Sequence, residues 1–275
     1  MKRLLPVLLL GLLALSCAAE ERSKAPSGDL ILSWTIDGVT RDGMLHIPTS
    51  ALTKPAPVVF VWHGHGGSMR NAVNMFGFHK LWPEAVSVYM QGLPTPGRLT
   101  DPEGRKAGWQ SSAGDQGDRD LKLFDAVLAQ LRRDYKIDDR RIYTTGHSNG
   151  GGFSYLLWST RGDVFAAVAP SAAAALRPRE TLPPKPVLHV AGENDPLVKF
   201  EWQKLTLDRV RSINGCGESR PWGGSPLCQE YVSASGTPVV ACIHPGGHEF
   251  LKGSPALIMK FFQEHSKPAA SPKAR

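Results

Sequence analysis

A glycine-flanked serine near the middle of the chain constrains the local backbone more than any other stretch. The segment Arg141–Gly152 reads RIYTTGHSNGGG, and within it Gly146, Ser148 and Gly150 form a Gly-x-Ser-x-Gly pentapeptide. β-Branched and aromatic residues precede the pentapeptide, as in a strand, and an apolar stretch of helical length, residues 153–158, follows it. The sequence therefore predicts a strand, a sharp turn and a helix, with the serine at the turn.

Such a turn suits a serine that acts as a nucleophile. A serine hydroxyl is weakly nucleophilic and has to be exposed beside a base. Flanking glycines remove Cβ atoms that would clash in so tight a turn, and the following helix directs free N–H groups at the site. Because the chain holds 28 glycines, the pentapeptide alone has a serious chance of being a coincidence. Whether the pentapeptide marks a nucleophile therefore depends on the rest of the chain.

Buried strands alternate with helices along most of the chain. The continuous apolar runs are residues 58–62, 164–169, 187–191 and 239–243, and the amphipathic helical patterns include residues 115–135, 200–213 and 255–265. This alternation predicts an α/β fold with a mostly parallel central sheet and helices on both faces. Residues 30–36 and 39–47, joined by Asp37-Gly38, predict a β-hairpin ahead of that sheet. Ligand sites in such sheets lie at the carboxyl ends of the strands.

The base and the acid that a serine nucleophile needs are expected at two such strand ends. His248 follows the last predicted strand in a glycine-rich loop, with His244 as its nearby rival. Asp195 follows residues 187–191 in a Gly-x-x-Asp turn, and Glu193 and Asp163 are weaker alternatives. The separations from Ser148 to Asp195 and from Asp195 to His248 are 47 and 53 residues, and each accommodates one strand–helix unit. The sequence predicts Ser148, Asp195 and His248 as a catalytic triad; the alternative is a coincidental or inactive site.

The loop after the first apolar run supplies a candidate oxyanion hole. It reads His63-Gly-His-Gly-Gly, and such a hole takes one backbone N–H from this loop and one from the residue after the nucleophile. We therefore expect the N–H groups of His65 and Asn149 to fill these positions. His63 and His65 could also be two metal ligands, but a third at a fitting spacing is missing, so the sequence predicts no metal. The chemistry needs no cofactor.

A long polar loop, residues 93–117, lies between two predicted elements and is rich in Pro and Gly. Loops of this length inside a compact domain are usually functional or disordered. Trp109 within it is predicted to bind substrate at the cleft. The alternative is a tryptophan that pins the loop to the body of the protein.

Residues 1–19 have the pattern of an export signal. A positively charged start precedes an apolar stretch, residues 4–15, that is too short to span a bilayer as a helix. The placement of Cys17 after Leu-Ser resembles a bacterial lipoprotein box, which predicts a lipidated Cys17; cleavage and free secretion are the alternative. Either route exports the chain, and membrane contact is expected only through the lipid anchor. We predict a tether over 20–29, a single domain over 30–265 and a flexible tail over 266–275.

Three cysteines lie beyond the predicted leader, and export would allow disulfides among them. Cys216 and Cys228 share a Gly/Pro-rich segment and are the favoured pair. Cys242 lies in an apolar strand and is predicted to be a free thiol. Other pairings stay open at this stage.

The charge pattern argues against a nucleic-acid partner. The formal net charge is +7, but the basic residues are scattered or paired at helix ends, as at Arg132-Arg133 and Arg140-Arg141. No stripe of Lys and Arg interleaved with aromatic residues is present. We expect a monomer with a solvated basic surface.

Several motifs together resemble one family of enzymes. They are Gly146-His-Ser-Asn-Gly-Gly, the preceding residues 135–146, Phe165-Ala-Ala-Val-Ala-Pro, Asn214-Gly-Cys216 and Gly246-Gly-His248. Over roughly residues 40–265 the chain is similar to the polyhydroxybutyrate depolymerase and feruloyl esterase group of secreted α/β-hydrolases. The resemblance implies the α/β-hydrolase fold, a Ser-Asp-His triad that maps onto Ser148, Asp195 and His248, and a disulfide between Cys216 and Cys228.

The predicted function is hydrolysis of a carboxylic ester through an acyl-enzyme. The expected substrates are feruloyl or acetyl esters of plant polysaccharides, or polyhydroxyalkanoate-type polyesters. The alternatives are a serine peptidase of the same fold and a non-catalytic, polymer-binding surface lipoprotein. The segments 93–117 and 214–238, which we expect to build the pocket, show no periodicity that would choose among these esters.

Overall fold

One ten-stranded sheet runs through the protein in this computed structural model, which describes residues 25–175 and 181–269. The strands are, in chain order, β1 (Gly28–Ile36), β2 (Val39–Ile47), β3 (Ala56–Trp62), β4 (Val86–Met90), β5 (Leu93–Pro94), β6 (Ala107–Gly108), β7 (Ile137–His147), β8 (Ala167–Ser171), β9 (Val187–Gly192), β10 (Cys216–Trp222), β11 (Ser225–Ser233) and β12 (Val239–His244). The helices are α1 (Met69–Phe76), α2 (Phe78–Leu81), α3 (Arg119–Asp134), α4 (Asn149–Arg161), α5 (Phe200–Ile213) and α6 (Ser254–Glu264).

The strand order in the large sheet is β1-β2-β4-β3-β7-β8-β9-β12-β11-β10. The six strands from β4 to β12 pair in parallel, and antiparallel strands extend the sheet at both edges. The predicted hairpin over residues 30–47 is confirmed as β1 and β2. The carboxyl ends of β3, β7, β9 and β12 lie at the same edge of the sheet, which is where the candidate site residues follow them in sequence.

Alternation along β3 shows how the sheet buries both of its faces. Val58, Phe60 and Trp62 join the cluster that packs against α3, α4 and α5, whereas Val59 and Val61 join the cluster under α1, α2 and α6. All five side chains are fully buried, so each contributes about 1.5–3 kcal/mol of transfer free energy. A run that is apolar at every position is therefore a strand with helices on both sides.

The long loop between β4 and α3 is fixed to the body by a buried polar network. Arg41 of β2 forms an ion pair with Asp120 of α3, with 2.7 Å between Nη2 and Oδ1, and both side chains are fully buried. The other oxygen of Asp120 accepts the backbone N–H of Gln110 at 2.8 Å, and the Gln110 Oε1 accepts the N–H of Asp120 at 3.0 Å. The loop is thereby tied to the first turn of α3 and to the sheet.

The predicted cysteine pairing is wrong. The disulfide joins Cys228 and Cys242, and the thiol of Cys216 is free. The reason is strand register: Cys228 of β11 lies directly opposite Cys242 of β12 in the antiparallel ladder, whereas Cys216 of β10 lies opposite Ser233. Cys242 is therefore not the free core thiol that its apolar surroundings suggested.

The segment 214–238 also differs from the predicted pocket loop. Most of it is an antiparallel hairpin, β10 and β11, which extends the sheet beyond β12. The two-residue turn Gly223-Gly224 carries positive φ angles of 67° and 69°, a conformation that favours glycine. Its glycines and proline gave the hairpin the composition of a loop.

The ends of the described chain are docked on the body. The Tyr135 hydroxyl donates to the carbonyl oxygen of Pro26, and β1 begins at Gly28, inside the predicted tether. The Lys267 N–H donates to the carbonyl oxygen of Arg140, and its ammonium group donates to the carbonyl oxygen of Val164, so the start of the predicted tail is attached to the domain at Lys267. The predicted leader with Cys17, the start of the tether and residues 270–275 lie outside the described residues. None of the helices described here is both long and apolar enough to cross a bilayer.

Candidate active site

The strand–turn–helix around Ser148 is strained at the serine. Ser148 lies between β7 and α4 with φ 56° and ψ −120°, a region that side-chain-bearing residues rarely adopt. Such a conformation costs on the order of 1–3 kcal/mol and persists only where the surroundings impose it. A Cβ at Gly146 would overlap the backbone of Gly150, and one at Gly150 would overlap the carbonyl oxygen of Trp62. The two glycines are therefore required by close backbone approach, as the pentapeptide predicts.

Ser148, His248 and Asp195 lie in one hydrogen-bonded row. The Ser148 Oγ is 2.7 Å from the His248 Nε2, and the His248 Nδ1 is 2.8 Å from the Asp195 Oδ2. Because the Asp195 carboxylate only accepts, the Nδ1 of His248 carries the proton and the Nε2 is free to accept from the serine hydroxyl. Gly192, at the end of β9, approaches the carbonyl of Gly247 too closely for a side chain, and this contact brings the acid's loop against the histidine's loop.

Asp195 is almost fully buried and accepts several hydrogen bonds. Its Oδ1 accepts the backbone N–H groups of Leu197 at 2.8 Å and Val198 at 2.9 Å. Its Oδ2 accepts the side-chain amide of Gln203 at 3.2 Å in addition to His248. Donors to both oxygens stabilise the ionised carboxylate and fix its plane. The interpretation from sequence did not anticipate Gln203.

The candidate oxyanion donors belong to the loop after β3 and to the first turn of α4. Asn149 is the first residue of α4, and its side chain is clamped to the backbone of Trp109: the Oδ1 accepts the N–H at 2.7 Å, and the Nδ2 donates to the carbonyl at 3.1 Å. The Nε2 of the His65 ring is 3.1 Å from the Asp101 carboxylate. Among residues 25–175 and 181–269, no acceptor takes the backbone N–H of His65 or Asn149. Both N–H groups are therefore available to a ligand.

The prediction that Trp109 binds substrate is wrong, and the alternative holds. The Trp109 side chain is fully buried, and its Nε1 donates to the carbonyl oxygen of His63 at 2.9 Å. Its ring meets Trp62 edge-on at 4.9 Å and stacks on Phe153 at 5.5 Å. The residue thus pins the loop to the body and orients Asn149. The sequence could not show this, because tertiary contacts set the direction of a loop side chain.

Two depressions share Ser148 and His248. The larger has a volume of about 500 Å³ and is walled by apolar and aromatic side chains, among them Phe153, Tyr155, Leu197 and Trp202. The smaller, of about 360 Å³, extends over the His63–Gly67 loop. The serine hydroxyl therefore lies where an ester could place its carbonyl carbon, with its two substituents in separate spaces.

His63 and His147 are held neutral around the serine. Burial lowers the pKa of His63, whose Nδ1 lies 2.7 Å from the Gly64 carbonyl while its Nε2 accepts the N–H of Gly92 at 3.0 Å. Burial, and to a lesser degree the neighbouring His248, lowers the pKa of His147 to about 4. The His147 ring lies 5.1 Å from the His248 ring, and its Nδ1 is 3.3 Å from the Ser171 Oγ, so it packs beside the His248 imidazole.

Stability should fall as the pH drops below about 6.5. Burial lowers the pKa of both His147 and His189 to about 4, so between pH 6.5 and 4 the unfolded chain binds protons that the folded chain excludes. At pH 5 each histidine reduces the free energy of unfolding by about 2 kcal/mol relative to pH 8. Urea unfolding at pH 8 and pH 5 measures this loss. His147→Gln should reduce the difference by about 2 kcal/mol; equal pH dependence in the variant would contradict the assignment.

Comparisons with known proteins agree with this geometry. No family model matches the chain. A protein described as probable feruloyl esterase C from Aspergillus flavus is 30% identical over 219 residues, which cover 76% of each chain. The chain belongs to the feruloyl esterase family. Feruloyl esterase C of Emericella nidulans is 27% identical over 216 residues, again covering 76% of each chain.

Solved structures place this feruloyl esterase family member in the α/β-hydrolase fold. An acetyl xylan esterase from Aspergillus awamori superimposes with a TM-score of 0.64 at 11% identity, covering 85% of this chain and 99% of that one. A thermostable esterase gives a TM-score of 0.57 at 16% identity, covering 87% and 63%. The predicted fold class and the resemblance to the feruloyl esterase group are thus confirmed, and the chain is a carboxylic ester hydrolase.

Proposed function

We propose that this carboxylic ester hydrolase is a serine esterase that works through an acyl-enzyme at Ser148. The observation that carries the proposal is the hydrogen-bonded row from the Ser148 Oγ through the His248 imidazole to the Asp195 carboxylate, with distances of 2.7 and 2.8 Å. A serine beside a base that is itself oriented by a buried acid is the arrangement that activates a hydroxyl for attack.

In the first half-reaction, the Ser148 Oγ attacks the ester carbonyl carbon while the His248 Nε2 takes the hydroxyl proton. Asp195 accepts from the Nδ1–H throughout and stabilises the imidazolium that forms. The tetrahedral intermediate then collapses, the bond to the leaving oxygen breaks, and the imidazolium returns its proton to the departing alkoxide. The acyl group stays on Ser148 as an ester.

The negative oxygen of that intermediate is received by backbone N–H groups. Those of His65 and Asn149 have no acceptor within the described residues, and Asn149 is held in place by Trp109. A preorganised donor of this kind contributes about 3 kcal/mol to transition-state stabilisation.

Water completes the cycle by repeating the attack. His248 removes a proton from a water molecule, whose oxygen adds to the acyl carbon. The intermediate expels the Ser148 oxygen, which regains a proton from the imidazolium. The products are the free acid and the regenerated serine, and the balance requires no metal or cofactor.

For the substrate we propose feruloyl or acetyl esters of plant polysaccharides. Relatives described as feruloyl esterases align with most of the chain, and a bifunctional acetylxylan esterase/xylanase of Neocallimastix patriciarum is 32% identical over 102 residues. The larger depression, with its aromatic wall and volume of about 500 Å³, has room for an aromatic acyl group. These observations favour polysaccharide esters over polyhydroxyalkanoates and over peptides.

A fluorophosphonate probe tests the mechanism directly. We expect the purified enzyme to lose activity as it is phosphonylated, and mass spectrometry of the digested protein to place the adduct on Ser148. Ser148→Ala should stay unlabelled. Ser154 lies in α4, less than two helical turns after Ser148, and Ser154→Ala should still be labelled. An active enzyme that the probe neither labels nor inhibits would overturn the serine mechanism.

The same preparation can distinguish the substrates. We expect release of ferulate from methyl ferulate and of acetate from acetylated xylan, with no erosion of a polyhydroxybutyrate film. Erosion of the film without release of ferulate or acetate would contradict the substrate proposal and leave the serine mechanism intact.

We further propose that the chain is exported, as the predicted leader indicates. The disulfide between Cys228 and Cys242 is consistent with an oxidising compartment. Lipidation at Cys17 would keep the enzyme on the cell envelope. Metabolic labelling with a fatty-acid analogue, compared between the natural chain and Cys17→Ser, separates anchoring from free secretion.

A further inference from the structure

A continuous row of buried hydrogen bonds leads from the catalytic acid into the protein. The Gln203 Nε2 is 3.2 Å from the Asp195 Oδ2, the Gln203 Oε1 is 3.1 Å from the His189 Nε2, and the His189 Nδ1 is 2.8 Å from the Tyr155 hydroxyl. We propose that Gln203, His189 and Tyr155 form a directional donor chain that positions Asp195 for catalysis. This inference rests on the proposed function, in which Asp195 orients His248.

The direction of every proton in this chain follows from the atoms present. The Gln203 Nε2 faces two groups that only accept, the Asp195 carboxylate and the carbonyl oxygen of Val198 at 2.7 Å. The amide orientation is therefore fixed, and the Gln203 Oε1 has to accept from His189. His189 then carries its proton on Nε2, and its Nδ1 accepts from the Tyr155 hydroxyl. All three side-chain donors thus point toward the carboxylate.

Burial prevents water from replacing any of the three side chains of the donor chain as a hydrogen-bond partner. His189 and Gln203 are fully buried, and Tyr155 is 2% exposed. Burial lowers the pKa of His189 and raises that of Tyr155, so both stay neutral over the working range and the direction of the chain does not reverse. A buried donor chain with one allowed arrangement stabilises a single orientation of the group at its end.

The three residues of the donor chain come from three different secondary-structure elements, so their hydrogen bonds connect these elements. Tyr155 belongs to α4, the helix that starts at the nucleophile, His189 to β9, and Gln203 to α5. The chain therefore ties the loop that carries Asp195 to the helix that carries the oxyanion donor Asn149. We infer that Gln203 is a positioning residue for Asp195 and that His189 and Tyr155 set the direction in which Gln203 donates.

Two variants remove donors while keeping volume. Gln203→Met leaves the Asp195 Oδ2 without its amide donor, and we expect kcat on a short aryl ester to fall by about 10- to 100-fold with KM within about twofold, as for loss of a hydrogen bond to a buried charge. Tyr155→Phe removes only the far end of the chain, and kcat should fall by about three- to tenfold. Because the effects travel through one path, the double variant should resemble Gln203→Met alone rather than show the product of both losses.

A spectroscopic readout separates positioning from loss of packing. The downfield proton resonance of the His248–Asp195 hydrogen bond should shift in both variants. Tyr135→Phe is the matched control: it removes the hydrogen bond from another buried tyrosine, to Pro26, and should change neither kcat nor that resonance.

Asp195→Asn is the reference variant, with which the activities of Gln203→Met and Tyr155→Phe are compared. If it loses activity while Gln203→Met and Tyr155→Phe stay within about twofold of the natural enzyme, the donor chain is overturned and the triad stands. Multiplicative losses in the double variant would likewise overturn the chain. If Asp195→Asn keeps full activity, the proposed function itself fails. Should Gln203→Met not fold, Tyr155→Phe and the resonance still decide the question.

Discussion

Ser148→Ala is expected to reduce kcat on short p-nitrophenyl esters by on the order of 10⁴- to 10⁶-fold, because it removes the atom to which the acyl group is attached in the proposed mechanism. The loss should appear in kcat. Substrate binding, measured by calorimetry with a slowly hydrolysed ester, should stay within about threefold, since the walls of the cleft are unchanged. Initial rates on the purified variant give the first number.

The folded state should tolerate this change. Alanine at position 148 meets the same unfavourable φ of 56° as serine does. Within the part of the chain that the structure describes, the hydroxyl hydrogen-bonds to His248 alone. We expect the free energy of unfolding to change by less than about 1 kcal/mol. A variant that keeps more than about a tenth of the natural kcat, with that activity resistant to a fluorophosphonate, would exclude Ser148 as the nucleophile.

Gly150→Ala should be the most damaging small substitution at the elbow. Its Cβ would overlap the carbonyl oxygens of Trp62 and His63, and both are backbone atoms that cannot rotate away. Trp62 is further held by pairing with Gly146 on one side and Met90 on the other. We expect a loss of about 3 kcal/mol or more in the free energy of unfolding, or no soluble protein. The reason is that an overlap with backbone atoms can be relieved only by moving the backbone of β3 or α4.

Gly152 in the same helix provides the matched control. A Cβ there would meet nothing within 4 Å, so Gly152→Ala should stabilise the protein by up to about 1 kcal/mol through reduced flexibility of the unfolded chain. Urea unfolding of both variants makes the comparison. Equal effects from the two substitutions would contradict the close approach between α4 and β3.

The elbow and the proximity of the three candidate triad residues could be predicted from the sequence, because motif, order and spacing are visible there. Gly146 and Gly150 are recognisable from the pentapeptide itself, although the backbone that they approach includes Trp62 of β3. Asp195 and His248 each follow an apolar run that has to be a strand. Once parallel strands are inferred, their carboxyl ends meet at one edge of the sheet. The order and spacing of three residues then suffice to bring them together.

The disulfide and the role of Trp109 could not be predicted in this way, because both depend on tertiary placement. Cys228 pairs with Cys242 through the register of β11 on β12, and no spacing rule fixes which residues of two strands face each other. Proximity in sequence favoured Cys216 instead. Trp109 lies in a loop without periodicity, where the direction of the side chain is set by Trp62 and Phe153.

One member of the donor chain did leave a trace in the sequence. His189 interrupts the apolar run Val187–Ala191, in a strand that is buried on both faces. A ring nitrogen at such a position has to find a partner inside the protein. Its partners, Tyr155 and Gln203, are 34 and 14 residues away in sequence, and nothing local indicates them.

The anchoring of Trp109 and Gln110 within residues 93–117 affects the entropy that is lost when the enzyme binds an ester. Trp109 and Gln110 are fixed to the body by buried hydrogen bonds, so docking of an ester does not have to order this part of the loop. The entropy lost on association is then mostly that of the ester. An ester on a chain already immobilised in a plant cell wall has less motion to lose than a free one. For the proposed polysaccharide esters, the entropy cost of association is therefore smaller when the ester is held in a matrix than when it is free in solution.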